Sequence, residues 1–208
     1  MDEKLHKKIN DRREKGTLRS LSSFETMKDF FSNDYLGLSS LKFDVSDSKR
    51  GGTGSRLISG TTNRILEIER NTALFYGYEA SLMFNSGYDA NIGFFSVVPQ
   101  RGDTIVYDEL IHASIRDGIR LSLANGISFK HNDILDLQKK IELSNGVVYL
   151  VVESLYSMDG DFAPLQEIVN LTSKSDVFLI VDEAHACGVR GNSGRGCTNA
   201  LGLDAFVF

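Results

Sequence analysis

Val147-Val148-Tyr149-Leu150-Val151-Val152 is a run with no polar side to turn toward water. A strand made from it needs cover on both faces, which is the situation of a parallel sheet sandwiched between helices. Outward from this run the same rhythm recurs in both directions. Upstream, Ala80 to Phe84 is followed by a helical segment Asp89 to Val98 closed by Pro99. Next come Thr104 to Tyr107 with His112 to Ala124, then Ile127 to Lys130 with Asp133 to Leu143. Downstream, Leu165 to Ser175 has helical spacing and Val177 to Val181 is again apolar. Apolar runs of strand length alternating with amphipathic segments specify an α/β fold, with a mostly parallel sheet and helices on both faces. Ligands of such sheets lie beyond the carboxyl ends of the strands.

Ahead of the alternating region, Thr62 or Asn63 can cap a helix running to Gly77, with Ile65, Ile68 and Phe75 near one face to pack on a core. Residues 1–60 form a less regular arm, rich in Ser, Gly and charge, suited to reach a neighbouring subunit. A composition of 41% hydrophobic and 25% charged residues is that of a globular chain with one sizeable core. The net charge of -5, with Lys and Arg scattered among acids, offers no basic surface for a phosphate backbone, which argues against nucleic acid and for small-molecule chemistry. The charged N-terminus has no apolar leader core, and no run has the length of a membrane span, so the expected location is the cytoplasm. Cys187 and Cys197 match no common zinc or redox spacing and read as buried free thiols.

The strongest local signal is Asp182-Glu183-Ala184-His185, directly after the apolar run Val177 to Val181. A carboxylate at a strand's carboxyl end can pair with a protonated ring nitrogen and keep that ring an electron sink, while His185 reaches another ring substituent. A helicase magnesium box would need an upstream Gly-x-x-x-x-Gly-Lys-Ser/Thr loop, which this sequence does not contain. A metal site would need further ligands at compatible spacing, and a merely capped strand end is the plain alternative. Asn85-Ser86-Gly87-Tyr88-Asp89-Ala90-Asn91 places small residues at a helix start, where N–H groups and the helix dipole can hold a phosphate, though a capped turn looks the same. His112 follows another strand and can stack on a planar ring or serve the structure alone. Glu153-Ser154-Leu155-Tyr156-Ser157-Met158-Asp159-Gly160-Asp161 brings hydroxyls and carboxylates to the end of a third strand. Gly51-Gly52-Thr53-Gly54-Ser55-Arg56 fits neither the dinucleotide nor the Walker fingerprint and reads as a loop. Each signal alone has an ordinary explanation; their convergence on one polar rim points to a ligand site.

Taken in order, Asn33-Asp34-Tyr35-Leu36-Gly37-Leu38, Gly52-Thr53-Gly54-Ser55-Arg56 with Ser59-Gly60-Thr61, Asn85-Ser86-Gly87-Tyr88, His112-Ala113-Ser114, His131-Asn132-Asp133, Ser157-Met158-Asp159-Gly160-Asp161 and Asp182-Glu183-Ala184-His185 resemble the α-oxoamine synthase family of fold-type I pyridoxal-phosphate enzymes. The resemblance spans nearly the whole chain and is greatest to the 8-amino-7-oxononanoate synthases of biotin biosynthesis, which condense L-alanine with a pimeloyl thioester and release carbon dioxide. It implies pyridoxal 5'-phosphate as cofactor, an acyl-CoA or acyl-carrier thioester as second substrate, and a homodimer with shared active sites. His112 would stack on the pyridine ring, Asp182 would hold its nitrogen, and Ser157 with His185 would bond the phenolic oxygen. Ser86, Gly87 and Tyr88 would cradle the phosphate, and Glu153 would support the ring environment. Asn33 would bind the amino-acid carboxylate, Arg19 would meet the acyl substrate, and the Gly52 to Arg56 loop would cross to the partner subunit.

The resemblance also divides the chain into an arm and interface segment, 1–60, and part of the large cofactor-binding domain, 61–208. The family's cofactor lysine follows a strand that Asp204-Ala205-Phe206-Val207-Phe208 would open, and none of the lysines here, the last being Lys174, matches it. The resemblance therefore implies an N-terminal portion of a longer enzyme, inactive by itself. Family members using glycine with acetyl-CoA, glycine with succinyl-CoA, or serine with a long acyl thioester are the substrate alternatives, and a non-catalytic dimer-forming module is the alternative of another class.

Overall fold

The computed structural model describes residues 2–21, 23, 28–42, 51–173 and 175–203. The anticipated strand opening at 204–208, and Lys174, lie outside the described residues. The chain divides into two compact units, Met1–Ser39 and Ser40–Phe208.

The first unit holds a helix that the sequence reading passed over, α1 (Glu3–Glu14), capped by the Asp2 side chain accepting from the Lys4 N–H. It buries no residue. Arg19 and Asn33 both lie in this unit and are exposed, and Asn33 accepts from the Tyr35 hydroxyl at 3.4 Å.

In the second unit a single π-helical turn, Arg56–Gly60, leads to α2 (Asn63–Tyr76). Thr62 caps α2 by accepting from the Ile65 N–H, and Gly77 ends it with φ 83°, a left-handed conformation that a side chain resists. The buried face of α2 differs from the expected one. Glu69 and Ala73 are buried, while Ile68 and Phe75 are 38% and 41% exposed. Glu69 is buried because its carboxylate is fully used: it takes both arms of the Arg56 guanidinium at 2.7 and 2.9 Å and the Met83 N–H at 2.8 Å. These bonds, the Arg56 pair first, hold its carboxyl down to about 2.

Ala80 to Phe84, expected as a strand, has no ladder partner among the described residues. An apolar run becomes a strand only when its backbone groups are paired, and here Leu82, Met83 and Phe84 remain largely exposed. The rest of the alternation is as read, with boundaries moved by one to a few residues. The elements are α3 (Gly87–Val97), β1 (Thr104–Asp108), α4 (Ala113–Leu121), β2 (Asn125–Phe129), α5 (Ile134–Glu142), β3 (Val148–Glu153), α6 (Leu165–Thr172), β4 (Val177–Asp182) and the short α7 (Cys197–Ala200).

The four strands are all parallel in the order β2-β1-β3-β4. Alternate residues feed two cores. Ile105, Tyr149 and Val151 meet Phe95 and Ile115 on the face of α3 and α4. Val106, Leu150 and Val152 meet Leu137, Ile168 and Val169 on the face of α5 and α6. Among the described residues both cysteines are free thiols, Cys197 buried and Cys187 half-buried. No helix among them is long and apolar enough to cross a membrane.

Candidate active site

The strand order reverses between β1 and β3: the chain steps from β1 outward to β2, then returns across β1 to begin β3. The loops leaving these two strands diverge to opposite faces and open a crevice at their carboxyl ends, the place where such sheets take ligands. Glu153, the last residue of β3, stands at this crevice and is 3% exposed. The backbone N–H groups of His112, on the loop after β1, and of Ser157, on the turn after β3, lie toward its carboxylate and favour its charged form. Burial first, and then the Asp182 carboxylate on the neighbouring strand, push its carboxyl up to about 7.

Asp182 is the register partner of Glu153 on β4. Its two oxygens are aimed by separate donors: Ala184 N–H reaches Oδ1 at 2.9 Å and Asn91 Nδ2 reaches Oδ2 at 2.9 Å. Asn91 lies one turn into α3, and the same amide nitrogen contacts Ser114 Oγ at 3.0 Å. Ser114 in turn stands 2.7 Å from His112 Nδ1. His112 caps α4, its Nδ1 accepting the Ser114 N–H at 3.2 Å, and the residue is exposed toward the crevice edge.

The start of α3 lies beside the same histidine. Ser86 Oγ caps it by accepting the Asp89 N–H at 3.0 Å, so the first-turn N–H groups beginning at Gly87 have no partner within the helix. The Tyr88 ring meets the His112 ring edge to face at 6.1 Å between centroids, and its hydroxyl donates to Asp117 on α4 at 2.5 Å. Ser86, Gly87 and Tyr88 are exposed, and a cleft of ≈ 220 Å³ opens at Ser86 and Gly87, walled by Thr72, Ser81, Met83 and Phe84. His185 is half-buried in the turn after β4, and Ser157 is exposed in the turn after β3. The structure thus gathers Ser86, Gly87, Tyr88, His112, Glu153, Ser157, Asp182 and His185 at one sheet edge, while Arg19 and Asn33 belong to the other unit.

Several polar residues of this edge carried no role in the sequence reading. Glu183 faces away from the crevice chemistry and ties down α7: it accepts from Ser154 Oγ, the Cys197 and Thr198 N–H groups and Thr198 Oγ1, all within 2.9 Å. His131 bridges Asp108 at the end of β1 (2.9 Å) and Asp161 after β3 (2.8 Å), locking the ends of three strands together. Arg56, expected to cross to a partner, is engaged by Glu69 of its own chain.

The model of the aminotransferase class I and II family matches residues 25–204. The chain belongs to that family. A putative 8-amino-7-oxononanoate synthase of Bacillus licheniformis is 40% identical over the whole chain, which spans 57% of that relative's length. The 8-amino-7-oxononanoate synthase of Francisella tularensis superposes with a TM-score of 0.70 at 31% identity, over 86% of this chain and 52% of its own. A serine palmitoyltransferase from S. paucimobilis, solved with a bound PLP–myriocin aldimine, superposes with a TM-score of 0.72 at 37% identity, over 76% of this chain and 40% of its own. The α-oxoamine synthase resemblance drawn from the motifs therefore stands, as does the fold-type I transferase fold.

Proposed function

We propose that these residues form the cofactor-holding half of an α-oxoamine synthase whose whole protein condenses L-alanine with a pimeloyl thioester, on CoA or a carrier, to 8-amino-7-oxononanoate with loss of carbon dioxide. The observation that carries the cofactor site is Asp182: an acceptor-only group at a strand end, each oxygen aimed by its own donor, beside an exposed imidazole and an open helix start. That donor set fits pyridoxal phosphate. Asp182 would hold the pyridinium nitrogen, His112 would cover the ring face, and Ser157 and His185 would bond the phenolic oxygen. Ser86 with the first-turn N–H groups of Gly87 and Tyr88 would take the phosphate, using the partial positive charge of the α3 N-terminus.

Bound there, the cofactor supplies an electron sink for the amino-acid Cα. The protein's part is electrostatic and positional. Asp182 would set a carboxylate against the ring nitrogen, an acceptor that favours a proton there. Glu153 adds negative charge beside that carboxylate only above the pH at which it ionises. Asn33 would receive the substrate carboxylate and Arg19 the acyl partner, and the functional form would be a cytoplasmic homodimer.

A serine-using synthase is the second reading, favoured by the superposition on a serine palmitoyltransferase. Product analysis of the full-length protein separates them: alanine, serine and glycine are each offered with pimeloyl and palmitoyl thioesters. Release of CO2 with the alanine and pimeloyl pair supports the first reading. Turnover with serine and palmitoyl thioester alone moves the assignment to the second, and no turnover with any pair favours a non-catalytic module.

A further inference from the structure

His112, Ser114, Asn91 and Asp182 form a continuous chain of hydrogen bonds from the exposed imidazole to the strand-end carboxylate. The direction of every bond in it can be worked out. Asp182, when ionised, only accepts, so the Asn91 amide must turn its nitrogen rather than its oxygen toward Oδ2. The same nitrogen then donates to Ser114 Oγ at 3.0 Å. The Ser114 hydroxyl still has its own proton, which it can offer to His112 Nδ1 at 2.7 Å. A second donor, the Ser114 backbone N–H, points at the same Nδ1 from 3.2 Å. Two donors on one ring nitrogen require it to carry a lone pair. The imidazole proton then has to be on Nε2, the nitrogen away from α4.

We propose that Ser114 and Asn91 are positioning residues that fix His112 as the neutral Nε2–H tautomer and hold its ring in step with the Asp182 carboxylate. The relay joins the two groups that meet the cofactor in the reading above, one on its face and one at its nitrogen, and its functional meaning rests on that reading. Ser114 is fully buried and Gly118 keeps the two helices close: a Cβ there would meet the Asn91 carbonyl and Phe95 Cβ at 2.9 Å. The spacing of α3 and α4 is therefore part of the device.

The test begins without any cofactor. In ligand-free protein, long-range ¹H–¹⁵N correlation spectra at a pH where His112 is neutral should show Nε2 protonated and Nδ1 unprotonated, and Nδ1 carrying the proton overturns the proposal whatever the variants do. In Ser114→Ala the minor tautomer should become detectable, and Ser114→Thr, which keeps the hydroxyl, should restore the single form. Pyridoxine 5'-phosphate, which lacks the aldehyde and needs no lysine, is then titrated by fluorescence. Asn91→Ala and Ser114→Ala should each weaken its binding roughly five- to tenfold, the loss of one hydrogen bond, with S114T near the parent value. An unchanged tautomer and unchanged affinity in both variants refute the relay. If the parent protein itself fails to bind pyridoxine 5'-phosphate, the cofactor reading fails while the tautomer is still decided by the ligand-free spectra.

Discussion

Replacing Glu153 by Gln should make the protein more stable at alkaline pH and leave it nearly unchanged in acid. The carboxyl is buried, faces the Asp182 carboxylate, and is pushed from 4.5 up to about 7. The folded protein therefore binds a proton between those values that the unfolded chain releases, so stability falls as pH rises from about 4.5 through about 7 and levels off above. At about 1.4 kcal/mol for each tenfold change in proton affinity, the full penalty on the ionised form is on the order of 3 kcal/mol. The amide keeps one acceptor for the His112 and Ser157 N–H groups and does not ionise. Any cost of its NH2 group is a constant offset with pH. Urea unfolding of parent and E153Q from pH 4 to pH 8 isolates the effect, because titrations not coupled to Glu153 cancel in the difference. The gap should move in favour of E153Q by about 3 kcal/mol across that range. A gap that stays constant refutes the buried-carboxyl account of this strand end.

The His131 bridge has its own pH signature. Burial opposes its charge, but the hydrogen bonds it donates to Asp108 and Asp161 outweigh that and raise its affinity for the proton above the ordinary 6.5. Its stabilisation should be complete below pH 6.5 and fade as pH climbs through the raised value, so His131→Gln should lose most against the parent in mild acid, read from thermal midpoints. Gly118→Ala should separate α3 from α4, cost about 1–3 kcal/mol as an overpacked contact, and shift the Asn91 side-chain amide resonances. Glu69→Gln should loosen the segment around Arg56 and speed hydrogen exchange at the Met83 amide; unaltered exchange there would show that the Glu69 bonds do not hold the loop.

The sheet was readable because Val147 to Val152 is apolar on two faces, a property of the run itself that no contact partner can change. The rim was readable for a related reason: Asp182 and Glu153 directly follow such runs and His112 ends the short loop after another, so topology alone delivers them to one edge. Ala80 to Phe84 was misread because strand identity depends on a pairing partner, which local composition does not encode. The buried face of α2 was misread because a carboxylate satisfied by Arg56 and Met83 can be buried where Ile68 is not. Asn91 and Ser114 gave no local signal, since an Asn one turn inside a helix and a Ser at a helix start are ordinary residues until the sheet brings Asp182 to them. Only their positions, four residues after Gly87 and two after His112, hinted at the crevice. The helix α1 was marked by Asp2 and Glu3 at its start and Arg12 and Arg13 at its end, cues obscured by a densely charged segment.

The central claim is that Asp182 is the anchor of a pyridoxal-phosphate site at the β1–β3 crevice. Calorimetric titration with pyridoxine 5'-phosphate tests it directly on the parent and on Asp182→Asn, which keeps the shape and removes the charge. The parent should bind at one site per chain, with D182N weakened roughly tenfold or more, the value of a hydrogen bond to a charged group. Equal affinity in the two proteins would contradict the assignment.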